Sequence, residues 1–117
     1  MRIATAVEAL SALAHQGRLE VFRLLVRAGK TGLPAGEIAR ATGMLANTLS
    51  ANMNILSHAG LVASRREGRS IIYTVAFERM GDLLAFLVED CCAGDSAICG
   101  ALAEIAGRAV CCVSEPA

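Results

Sequence analysis

Apolar residues recur through most of the chain at the three- and four-residue spacing of helices, and the period changes once, between residues 61 and 75. Ile3, Val7, Leu10 and Ala14, with Ala6 and Leu13, predict a first helix that ends near His15-Gln16-Gly17. Leu19, Phe22, Leu25 and Val26 predict a second, with Arg18, Arg23 and Arg27 on its solvent side and Gly29 as its stop signal. Pro34 can open a short third helix, because its missing N–H would be unpaired in a first turn anyway; Ile38 and Ala39 are its core positions and Gly43 its end. From Gly43 to Val62 the pattern predicts one longer helix, in which Leu45, Leu49, Met53 and Leu56 form a stripe that must be buried. After Gly60 the segments Leu61–Arg66 and Arg69–Val75, with a turn at Glu67-Gly68, read as a β-hairpin. Met80, Leu83, Leu84, Leu87 and Val88 return to helical spacing and predict a fifth helix from about Phe77 to Asp90.

The fourth helix has a second face, made of Asn47, Ser50, Ala51, Asn54 and His58. It is short, polar and almost uncharged, which suits hydrogen bonding to base edges better than an ordinary Lys/Glu-decorated surface. A short helix, a glycine-containing turn and a longer helix are the parts of a helix-turn-helix, whose second helix enters the major groove. Arg65, Arg66 and Arg69 lie at the tip of the following hairpin, where a wing would bring cations to a phosphate backbone or an adjacent minor groove. The expected fold is therefore mainly α with a β-hairpin, a winged helix-turn-helix. Asn47, Thr48, Ser50 and Asn52 are expected to contribute specificity on double-stranded operator DNA, and the three arginines affinity. One small domain cannot cover the apolar faces of both the first and the fifth helix, so a homodimer is expected, with recognition helices about 34 Å apart on a pseudo-palindrome.

Composition narrows this picture. Of 117 residues 55% are hydrophobic but only 3% aromatic, so the interior must be aliphatic, as in a compact helical protein. No apolar run approaches the roughly 20 residues of a membrane span. The N-terminal M-R-I-A-T-A-V-E-A-L-S-A-L-A superficially resembles a signal peptide, yet Glu8 interrupts it and the amphipathic pattern continues, so a cytoplasmic protein is expected. Net charge is +0, with the carboxylates concentrated beyond residue 76, which leaves a weakly positive body able to meet phosphates locally.

Three blocks, A-L-A-H-Q-G-R-L-E-V-F-R-L-L at residues 12–25, S-A-N-M-N-I-L-S-H-A-G-L-V at 50–62 and R-R-E-G-R-S-I-I-Y at 65–73, resemble the ArsR/SmtB family of dimeric metal-sensing repressors. The resemblance covers about residues 8 to 90 and implies a winged helix-turn-helix that leaves operator DNA on binding a metal or metalloid. The chain departs from the family's usual pattern at Asn52, where the family has His, at Met53, where it has Leu, and near Gln16 and Gly17, where it has Pro or Asp.

Five cysteines, Cys91, Cys92, Cys99, Cys111 and Cys112, fall behind a body that has none. Residues 1–90 thus read as the DNA-binding and dimerisation domain and 91–117 as a cysteine-rich sensing segment. Adjacent cysteines bridge each other poorly but can offer two thiolates to one soft ion. Zinc commonly takes four Cys or His ligands, and the two histidines, His15 and His58, lie in the body. Trivalent arsenic or antimony needs three sulfurs in a pyramid: Cys91, Cys92 and, as the natural third, Cys99. That arrangement is similar to arsenite-responsive members of the family with three thiols at the end of the fifth helix; the Cys-Val-Cys-type site of the third helix is absent, that helix reading P-A-G-E-I-A-R-A. Cys111 and Cys112 are auxiliary thiols: a second dithiol, a replacement third ligand or a capture site. Residues 97–110, with Ile98, Leu102 and Ile105 on one face, can form a short helix after Asp95 or Ser96.

The reading is a non-enzymatic repressor released from DNA by As(III), with Sb(III) or an organoarsenical as related inducers. One alternative keeps the fold and makes the thiols a Zn/Cd/Pb or oxidation sensor. Another is a small thiol reductase, against which stands the absence of a Cys-x-x-Cys, a nucleotide-phosphate glycine motif or a histidine near the thiols.

Overall fold

The computed structural model describes residues 1–88 together with 100, 101, 104 and 105. Five helices and a small sheet follow in the order α1 (Ile3–Leu13), α2 (Gln16–Ala28), a 3-10 turn (Gly29–Thr31), β1 (Leu33–Pro34), α3 (Ala35–Thr42), α4 (Ala46–His58), β2 (Val62–Glu67), β3 (Ser70–Val75) and α5 (Phe77–Val88). All five cysteines, Cys91, Cys92, Cys99, Cys111 and Cys112, lie outside the described residues; Gly100, Ala101, Glu104 and Ile105 are helical.

The core is aliphatic, as the composition requires. Val21 and Leu25 of α2, Ile38 of α3, Met53 and Leu56 of α4 and Leu61 ahead of β2 are its largest fully buried side chains. α1 meets this core through Ala6, Ala9 and Ala12, three small residues that let its backbone come close. The larger Ile3, Val7 and Leu10 point away and stay exposed, so the inward face of α1 is the alanine ridge and its branched face is left uncovered. In α2 the same shift occurs: Val21 is buried, whereas Leu19 is exposed.

Local chemistry sets the helix ends. His15 caps α2, its Nδ1 accepting hydrogen bonds from the backbone N–H of Gly17 at 3.1 Å and of Arg18 at 3.4 Å. The side chain of Arg18 turns back instead of lying in solvent, and its Nε donates to the carbonyl of Ala12 at 2.6 Å, satisfying an orphan acceptor of the last turn of α1. Gly43 ends α3 in the left-handed conformation (φ 74°), its N–H donating to Ala39 at 2.8 Å.

The hairpin extends the expectation by a strand. β1 pairs antiparallel with β3, Leu33 opposite Tyr73 and Pro34 opposite Ile72, giving the order β1-β3-β2. Two residues are too few for hydrophobic alternation to reveal, which is why the pattern alone showed a two-stranded hairpin. Entry to β1 depends on Gly32 (φ 72°), where an added Cβ would collide with the Tyr73 carbonyl oxygen. The β2–β3 register places Glu67 opposite Ser70, so the turn is Gly68-Arg69, one residue later than expected.

The fourth helix is shorter than the Gly43–Val62 pattern, beginning at Ala46 and ending at His58. Gly43 belongs to the end of α3, and Gly60, at φ 77°, lies in the turn leading to β2. Leu45 is therefore not the first member of the buried stripe: it is the N-cap of α4 and is 77% exposed. Leu49, Met53 and Leu56 are buried as the spacing predicts.

Candidate nucleic-acid interface

α3, the turn Gly43-Met44-Leu45 and α4 form the helix-turn-helix, and β2–β3 follows as the wing. Asn47, Thr48, Ser50, Ala51 and Asn54 of α4 are exposed. The helix contains no carboxylate, and His58, at its far end, is its one ionisable side chain. The unpaired N–H groups of its first turn add a partial positive charge at the end bearing Asn47 and Thr48, uncompensated by any capping side chain from Leu45. Neutral donors and acceptors on a helix with a positive N-terminus suit contact with base edges between two phosphate backbones.

Asn52 does not belong to this face. It lies three residues after Leu49 and four before Leu56, hence on the buried side, and is 6% exposed. Its Nδ2 donates to the Met44 sulfur at 3.5 Å, so its amide is engaged by the helix-turn-helix turn. Met44 in turn sits against α2: a Cβ at Gly17 would meet the Met44 Cε at 2.9 Å and the Asn52 Nδ2 at 3.5 Å.

The three wing arginines do not act alike. Strand pairing sets Arg65 opposite Ile72 and Arg66 opposite Ile71, and neighbouring residues of a strand face opposite sides. Arg65 is occupied within the protein, its Nε donating to Glu67 at 2.7 Å and its Nη2 to the Thr31 carbonyl at 2.9 Å, which ties the wing to the turn before β1. Arg66 shares the face of Ile71 and Tyr73, and these two border an open cleft with Ala46, Leu49 and Ser50 of α4. The cation of Arg66 thus lies on the strand face that carries the α4 contacts, while Arg69 is exposed in the turn. Among the described residues the ion pairs are Arg65–Glu67 and Arg40–Glu37, and neither uses Arg66 or Arg69.

Leu45 is the surface residue that periodicity misassigned. Its spacing to Leu49 matched the buried stripe, and the one contrary signal was Gly43, which terminates α3 two residues earlier. No three His, Cys, Asp or Glu side chains among the described residues come together as a metal site; Cys91, Cys92, Cys99, Cys111 and Cys112 are not among them. No described helix is long and apolar enough to cross a membrane.

A buried helix-turn-helix scaffold with a neutral reading face and a cationic wing defines a winged helix-turn-helix DNA-binding protein. The comparisons agree. Residues 13–65 match the family model described as a helix-turn-helix domain. The chain is 34% identical over 79 residues to the uncharacterized HTH-type transcriptional regulator Rv0081 of Mycobacterium tuberculosis, covering 67% of each chain. It is 32% identical over 78 residues to the HTH-type transcriptional regulator YgaV of Escherichia coli, covering 67% of this chain and 77% of that protein. In structure it is similar to the homodimeric winged helix-turn-helix DNA-binding domain of Mb0332 from Mycobacterium bovis, a possible ArsR-family transcriptional regulator. The TM-score is 0.61 at 33% identity, over 75% of this chain and 82% of that one. The chain belongs to the ArsR family of helix-turn-helix transcriptional regulators: it binds DNA and is not an enzyme.

Proposed function

We propose that this regulator is a homodimeric repressor that holds its operator when unliganded and releases it when As(III) binds the thiolates of Cys91, Cys92 and Cys99. The observation that carries the inducer is the confinement of every cysteine to residues 91–117, behind a DNA-binding body without one. Cys91 and Cys92 supply two sulfurs from adjacent positions and Cys99 the third, a donor set that matches the three-sulfur preference of trivalent arsenic or antimony. Cys111 and Cys112 serve as auxiliary thiols. Residues 91–117 act as the sensing segment, and 1–90 as the domain that binds DNA and dimerises.

Dimerisation is supported by the apolar residues the protomer leaves exposed, Ile3, Val7 and Leu10 on α1 and Leu84, Leu87 and Val88 on α5. Mb0332, similar in fold, is a homodimer. In each protomer Asn47, Thr48 and Ser50 read base edges, Arg66 and Arg69 contact phosphates, and Arg65 holds the wing in place. Cys91 follows directly on the stretch of α5 that carries the exposed leucines, so an ion drawing Cys99 toward Cys91-Cys92 acts next to the subunit interface. A change in subunit spacing then separates the two recognition helices from their half-sites. A coupling of this kind is typically ~1–3 kcal/mol, about 5–150-fold in operator affinity, and it works in both directions: DNA weakens arsenic binding as arsenic weakens DNA binding.

The test is a gel-shift on the DNA upstream of the coding region, titrated separately with arsenite, zinc and peroxide. Release by arsenite alone is expected. A second reading is favoured by the adjacency of Cys91 and Cys92, since a vicinal dithiol also reacts with oxidants; release by peroxide and not by arsenite identifies that sensor, and release by zinc identifies a divalent-metal one.

A further inference from the structure

We infer that Leu45 is a base-reading residue, recognising the C5-methyl group of a thymine in the operator's major groove. The inference rests on α4 being the helix that enters the groove, and adds to its polar face a contact of opposite chemistry. Leu45 is 77% exposed, the most of any large hydrophobic residue described. It is the N-cap of α4, in extended backbone (φ −68°, ψ 152°), and makes no capping hydrogen bond. Ser, Thr, Asp and Asn are favoured at such a position because a side-chain oxygen satisfies one of the orphan N–H groups of the first turn. Leucine forfeits that bond, and in the free protein gains no burial in return. Two local rules are broken at one residue, as happens where function overrides stability.

The position says which function. In helix-turn-helix proteins the N-terminal residues of the second helix reach the base edges, and Leu45 stands at that end, just ahead of the exposed Asn47 and Thr48. Major-groove edges present donors, acceptors and one apolar group, the thymine methyl. A side chain without a polar atom can discriminate only through that group. Contact with it removes apolar surface of both partners from water, returning the burial that the free protein lacks.

The experiment uses operator duplexes selected by the full chain from a random pool, resynthesised with deoxyuridine in place of each thymine in turn. This removes the methyl and leaves base pairing intact. The wild type should lose about 4-fold in affinity per critical methyl removed, whereas Leu45→Ala should bind the thymine and deoxyuridine duplexes equally. Leu45→Ser should show the same indifference while its Tm rises by a few degrees through the restored cap, separating a lost base contact from damage to the fold. Absence of any methyl-sensitive thymine, or an unchanged preference for thymine in Leu45→Ala, overturns the inference. Ser50→Ala on the same duplexes isolates the cause of a failure. If it loses operator preference while the Leu45 variants behave as wild type, α4 reads DNA without Leu45; if it too behaves as wild type, the assignment of α4 as the reading helix fails along with the inference.

Discussion

Asn52 donates its side-chain amide to the sulfur of Met44, 3.5 Å away and eight residues earlier, and so fastens the middle of α4 to the turn that precedes it. Because Met44 also packs where a side chain at Gly17 would intrude, the pair links the pose of α4 to α2. Asn52→Ala removes this bond and opens a void beneath the helix. Urea unfolding should show a loss of about 1–2 kcal/mol, with weaker binding to operator and random DNA together. A variant of wild-type stability would show that the contact does not hold the turn.

Ser50 is exposed on the reading face, so Ser50→Ala should leave the unfolding midpoint within error of wild type. Operator affinity should fall by about 5–100-fold if its hydroxyl makes a base contact, with little change on random DNA. Equal losses on both DNAs would exclude a role in readout.

Arg66 and Arg65 should separate in the salt dependence of binding. If Arg66 and Arg69 each meet a phosphate, Arg66→Ala or Arg69→Ala should lower the slope of log K against log salt by roughly 1. Arg65→Ala should change that slope less, since its guanidinium is engaged by Glu67 and Thr31. The same slope change for Arg65 and Arg66 would show that the wing rearranges on DNA.

A charge placed in the uncovered row of α1 should separate the subunits. Val7→Glu, at a residue already exposed in the protomer, should leave the fold intact and shift sedimentation from dimer to monomer, with operator binding reduced well over tenfold because the half-sites are no longer bound together. A monomeric wild type at micromolar concentration, with operator binding intact, would refute the dimer.

Serine at Cys91, Cys92 or Cys99 should yield a folded regulator that binds operator and ignores arsenite in the gel-shift. Serine at both Cys111 and Cys112 should still respond. If the first three variants keep the wild-type response, the site lies elsewhere.

What the sequence determined by itself is the order and type of the elements and the class of protein. Helical spacing marked five helices within a few residues, the change of period marked the wing, and Asn47, Ser50, Ala51, Asn54 and His58 marked a face unlike ordinary helix surface. Such features are local, repeating every two or nearly four residues, and a linear pattern carries them. The structure decided whatever depends on residues distant in sequence or on a phase shift of one position. β1 exists because Leu33 and Pro34 meet Tyr73 and Ile72 from nearly forty residues away. Leu45 went outward because Gly43 closed α3 and delayed the start of α4, so one residue of the predicted stripe left the helix; Asn52, three residues after Leu49 and four before Leu56, lies on the buried side by spacing, and only the structure shows the partner its amide meets there, the Met44 sulfur. Arg65 and Arg66 are adjacent in sequence and opposed in space, a consequence of strand alternation in a register that only the paired sheet sets.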